Sequence, residues 1–148
     1  MNRKTFSPAA ALATLATAVA VTLAVMTTTP AQAQAADPIK RDFARAVYLH
    51  SASEVHNEQP QALLRAVVVL RIKLDEQGRW AAEVFRDNPE QPEMTRRALE
   101  SVQRLPVPVG LSPAAREALQ NQGLIEAWLF QNDGRFALKT LAKPQKRA

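Results

Sequence analysis

The 148-residue chain predicts a small α+β domain, an antiparallel sheet of three or four strands with helices packed on one face. Three observations predict it. Residues 66–74 and 80–86 are apolar, strand-like runs joined by the turn Asp75-Glu76-Gln77-Gly78-Arg79. Residues 124–130 and 135–141 form a second such pair around Asn132-Asp133-Gly134. Between the pairs, residues 93–104 switch to helical period, which leaves helices to cover the sheet.

The chain opens on a segment of a different kind. Arg3 and Lys4 are followed by an Ala-, Leu-, Val- and Thr-rich run from Pro8 to Met26, with no charge until Asp37. Ala31-Gln32-Ala33 and Ala33-Gln34-Ala35 are small-x-small cleavage signals. Together they have the three-part form of a secretory signal peptide over residues 1–35. The competing interpretation is a retained membrane anchor, since residues 7–29 are long enough to span a hydrocarbon core of ~30 Å. Cleavage after Ala35 is expected, with Ala33 the alternative. A chain without cysteine offers no thiol to acylate, to bridge or to catalyse. Residues 36–142 are then a single domain, and 143–148 a basic, frayed tail. A periplasmic location follows from the leader.

Each element has its own local reason. Asp37 and Pro38 suit an N-cap and first turn for a helix over about 38–50, with Ile39, Phe43, Ala46, Val47 and His50 at helical spacing. Pro60 ends the irregular stretch that follows. Strand 66–74 is apolar on both faces and is expected to be central. Gly78 supplies the left-handed residue of the first hairpin. Asp87 to Pro92 is loop by composition. In the helix from Glu93 to Arg104, Met94, Ala98, Leu99 and Val102 share one face. Leu105 to Leu111 contains too much proline for a central strand. Ser112-Pro113 starts a short helix that ends near Gly123. The expected core is Val68, Leu70, Ile72, Val84, Leu99, Val102, Trp128 and Phe130, with Trp80 half exposed.

Composition narrows the function. The formal charge of +5 falls to +3 once Arg3 and Lys4 leave with the leader. The remaining cations are scattered rather than clustered with aromatics, which argues against nucleic acid. His50 and His56 are six apart, a spacing that does not put both on one helical face, so no metal pair is expected. Nucleophile elbow, phosphate loop and dinucleotide fingerprint are all missing from the sequence, so neither an enzyme nor a cofactor is expected.

From Val67 onward the chain resembles the C-terminal domain of TonB-like energy transducers and, more distantly, of TolA. The shared features, in order, are the strand Val67–Leu74, the D-x-x-G-R turn Asp75–Arg79, a second strand, a polar loop, a helix containing Arg97-Ala98-Leu99 and Ser101-Val102, a proline-rich segment and a last strand. The chain departs from that family in having Trp80-Ala81-Ala82 after the turn, and no long spacer behind its hydrophobic start. The resemblance implies binding rather than catalysis. In such domains the last strand is an open edge that receives a peptide from an outer-membrane receptor by strand addition. Carried over, this implies partner-binding residues Leu124, Glu126, Trp128 and Phe130, and, on the return strand, Arg135, Phe136 and Leu138. The expected partner is an envelope protein or peptide. The rival expectations are a homodimer through the same edge, an energy transducer with its anchor retained, and a small-molecule binder or enzyme.

Overall fold

Alternation along one strand organises the molecule. The computed structural model describes residues 30–144, with side chains from Pro38 onward; the expected leader run Pro8–Met26 and the end of the basic tail lie outside the described residues. In strand β1, Ala66–Leu74, alternate residues Ala66, Val68, Leu70, Ile72 and Leu74 are buried, while Val67, Val69, Arg71 and Lys73 are half-buried. Strand β2, Trp80–Arg86, returns antiparallel to it through the Asp75–Arg79 turn. Gly78 adopts φ 75° there, a conformation that costs a residue with a Cβ. Asp75 closes the turn by accepting from the amides of Gln77 and Arg79 and from the Arg79 guanidinium.

Strand β3, Leu124–Phe130, pairs antiparallel with the other side of β1, and strand β4, Phe136–Leu138, pairs antiparallel with β3. The sheet order is β2-β1-β3-β4. The four-stranded antiparallel α+β architecture is as the sequence predicts, but the return strand is shorter than 135–141. The chain turns at Lys139–Leu141, where Leu141 and Ala142 both donate to the Leu138 carbonyl.

The three helices among the described residues pack on one side of the sheet. Helix α1, Pro30–His50, starts earlier than the expected cap at Asp37. Ala and Gln at 31–36 have high intrinsic helix propensity, and Pro38 deletes a single backbone bond without ending the helix. The expected cleavage point after Ala35 therefore falls within α1. Helix α2, Pro92–Gln103, buries Met94, Ala98 and Val102, with Leu99 half-buried. Helix α3, Pro113–Asn121, is capped by Ser112, whose hydroxyl accepts from the Ala115 amide at 3.1 Å, and buries Leu119. Gly123 then passes so close to β1 that a Cβ would sit 2.5 Å from the Ile72 carbonyl oxygen.

The core lies between these helices and the inner sheet face. Trp128 is fully buried, with its ring edge-on to Phe43 of α1 at 6.3 Å between centroids. Its indole N–H donates to Ser101 Oγ at 3.0 Å, and that hydroxyl donates to the Ala98 carbonyl at 2.7 Å. Phe130 and Phe136 meet edge-on at 5.6 Å. Seven of the eight expected core residues face this layer as buried or half-buried groups. Val84 is the correction: it stays 44% exposed, because it lies on an edge strand where the helices give incomplete cover. Trp128→Ala is expected to cost about 3–5 kcal/mol, by loss of buried area and of the hydrogen bond that Ser101 Oγ accepts. Urea unfolding followed by circular dichroism measures it.

Candidate partner-binding edge

The seven residues expected to bind a partner occupy two different environments. Leu124, Glu126, Trp128, Phe130, Phe136 and Leu138 all face the helix layer and are buried. Arg135 alone is exposed, and its guanidinium donates to Asp133 Oδ2 at 2.7 Å. Strand β3 is not an edge, since β1 and β4 hydrogen-bond to its two sides. The strand added after Asn132-Asp133-Gly134 occupies the side that the resemblance leaves open.

Strand β4 is covered in its turn. Val55 bridges to Phe136 in parallel orientation, with the His56 amide donating to the Phe136 carbonyl at 2.7 Å and the Phe136 amide to the Glu54 carbonyl at 2.9 Å. This short strap is clamped from α2. Glu54 accepts from Arg104 through Oε1 and from Arg97 through Oε2 at 3.2 Å, and Arg97 also donates to the Gly134 carbonyl at 2.6 Å. The hydrogen bond from Arg104 is the largest of the influences that hold the Glu54 carboxyl below its usual range, ahead of the opposing effect of burial. Arg97 and Arg104 thus reach across 43 and 50 residues of sequence to Glu54.

Behind β4 lies a buried polar junction. Glu126, 1% exposed, accepts through Oε1 from its neighbour's Ala127 amide at 2.9 Å and from the Thr140 amide at 3.3 Å. The Tyr48 hydroxyl accepts from the Leu138 amide at 3.1 Å, tying α1 to β4. Burial pushes the Tyr48 pKa up, opposed by that amide and reinforced by the charge of Glu126. Of the two histidines, His50 is exposed and His56 buried in the strap. No cluster of potential metal ligands occurs among the described residues.

The opposite side of the sheet is different. Asp75 and Arg79 share a ladder-type bond, the Asp75 amide donating to the Arg79 carbonyl at 2.9 Å. Hydrogen-bonded and non-bonded pairs alternate along an antiparallel ladder. Ala81 and Glu83 therefore point their backbone groups at β1, and Trp80, Ala82 and Val84 point theirs outward. Among the described residues those outward groups have no partner. Val84 and Phe85 are 44% and 60% exposed. The register slips between Val69 and Leu70, leaving Phe85 as the extra residue, with the Arg71 guanidinium 5.5 Å from its ring centroid. A shallow cleft of about 310 Å³ opens at the far end of β2, bordered by Arg65, Arg86 and Asn88. Sequence reasoning missed this edge by assigning Val84 to the core. The one signal for it was position: β2 belongs to the hairpin whose partner, β1, is apolar on both faces and so suits the sheet centre.

No family model, curated protein or solved structure matches the chain. Among the described residues no helix is long and apolar enough to cross a membrane.

The strap is expected to respond to acid. Glu54 has a depressed folded pKa, so its stabilisation is complete above the ordinary value of 4.5 and is lost as pH falls through the lower folded value. Glu54→Gln should be less stable than wild type at neutral pH, and the difference should vanish on acidification below the folded pKa. Urea unfolding across that pH range reads the gap.

Proposed function

We propose that this chain is an exported binding domain that takes up an extended segment of an envelope protein or peptide as a further strand along β2. The observation that carries the proposal is the row of unpaired outward groups at Trp80, Ala82 and Val84, beside an incompletely covered inner face. Backbone groups on such an edge supply affinity to an incoming strand, and alternate side chains supply selectivity. An apolar residue of that strand beside Val84 would extend the sheet's inner layer. The leader-like start and the order of elements shared with TonB-like domains support the periplasmic, non-catalytic part of the proposal. The edge differs from the one the resemblance implies, because β4 and the strap at Glu54–His56 occupy that side.

A released binding domain, an adaptor, is favoured over an energy transducer by the way α1 is held. Phe43, Ala44 and Val47 are buried in the core, so little free chain separates residues 7–29 from the folded domain. A retained anchor would keep the domain against the inner membrane. N-terminal sequencing of the protein from the periplasmic fraction is expected to begin at Ala36 or Gln34, and an intact Met1 in the membrane fraction would reverse the assignment.

Two proline variants test the edge. Proline is tolerated on an edge strand where the lost N–H faces outward, and disrupts a strand where that N–H serves the ladder. Val84→Pro should keep the fold and lose partner recovery from an envelope extract. Glu83→Pro should be strongly destabilised, because it removes a ladder hydrogen bond to β1. Equal recovery of the same partners by folded Val84→Pro and wild type would rule out pairing along β2.

A further inference from the structure

An unpaired strand of seven residues, most of them apolar, is a template for pairing, and proteins commonly blunt such edges with charged side chains, lysine above all, with proline or with a bulge. Strand β2 contains neither lysine nor proline; its charged residues are Glu83 and Arg86, and its register shift lies beyond Val84, near Phe85, which leaves Trp80 to Val84 as a regular stretch of edge. In the absence of another strand, something of matching pattern should close it. The chain's own β2 has that pattern.

We infer that β2 pairs antiparallel with β2 of a second copy, with the twofold axis at Ala82, joining two four-stranded sheets into one of eight strands. The inference rests on the assignment of β2 as the binding edge. Ala82 is an outward-pointing position, so the two Ala82 residues form a hydrogen-bonded pair across the axis. Trp80 then stands opposite Val84 of the second copy on the inner face, twice by symmetry. The half-exposed indole and the exposed valine cover one another. On the outer face Arg79 stands opposite Phe85 of the second copy, and Glu83 opposite Ala81.

The neighbouring registers are worse for stated reasons. Centring on Glu83 sets the two carboxylates directly opposite, which is destabilising. Centring on Ala81 places Arg79 against Glu83, but leaves Phe85 unpaired beside the Gln77–Gly78 turn. The Ala82 register aligns residues 79–85 without a directly opposed like charge. Self-pairing uses the same groups that a different partner would need. A competing envelope strand must therefore displace the second copy, and binding of such a partner splits the dimer.

Sedimentation and cross-linking test this with the chain expressed from Met1 and purified as the cell leaves it. Wild type is expected to sediment as a dimer at micromolar concentration. Val84→Pro and Val84→Lys, the second placing a charge on the exposed edge, should sediment as monomers with unchanged circular dichroism. Since the chain has no cysteine, Ala82→Cys introduces a single thiol. Hydrogen-bonded antiparallel pairs place Cα atoms about 5.5 Å apart, within disulfide range. Mild oxidation should cross-link Ala82→Cys at least about tenfold faster than Ala81→Cys, whose thiols lie on a diagonal of about 7–8 Å. A monomeric wild type overturns the dimer, and the adaptor proposal then stands or falls on its own envelope recovery. A dimer that survives in both folded Val84 variants overturns β2 as the interface, and faster cross-linking at Ala81 overturns the register.

Discussion

The constraint on which the rest depends is the double pairing of β1. Its alternate residues Val68, Leu70 and Ile72 are completely buried against the helices, while both of its hydrogen-bonding sides are taken by β2 and β3. A strand held on both sides cannot slip by one residue without turning its whole apolar set outward. That register places Trp128 opposite Val68 and Glu126 opposite Leu70. It also brings α3 and Gly123 onto the backbone of Ile72, where there is no room for a side chain.

The two sides of the sheet are finished by different physics. On one side a strand of three residues is stabilised by a strap, two arginines and a glutamate. The partly buried position of Glu54 makes these charge-assisted bonds worth more than ordinary surface pairs. The outward groups of β4 are used at Phe136, and α1 is fastened to Leu138 through Tyr48. On the other side β2 presents unpaired backbone and exposed apolar side chains. Among the described residues this asymmetry leaves β2 as the edge with unpaired backbone groups, and Val84 and Phe85 on it are incompletely covered.

The carboxylate of Glu126 is the least expected feature of the interior. A buried carboxylate is tolerated when hydrogen bonds replace its lost water. Here Ala127 and Thr140 both donate to Oε1, while Oε2 is buried without a hydrogen-bond partner among the described residues, so the replacement is only half made. Thr140 belongs to the turn that cuts β4 short, so the same carboxylate that occupies the core also receives the end of the strand. This links the interior directly to the departure from the longer return strand.

The sequence by itself determined the local elements. Period-two runs, Gly78 and Asn132-Asp133-Gly134 specified two hairpins, Ser112-Pro113 specified a helix start, and the spacing of Met94, Ala98 and Val102 specified the face that α2 buries. These signals are local, because backbone preference and side-chain period act within a few residues. Only the tertiary structure decided which side of the sheet remained open. Strand order, the strap from Glu54 to His56 and the reach of Arg97 and Arg104 all join segments distant in sequence. Apolar alternation marks a residue such as Val84 as inward-facing, but not whether a helix extends far enough to cover it. For the same reason Leu124, Trp128 and Phe130 were legible as a strand, while their place in the middle of the sheet was set by pairing across the fold.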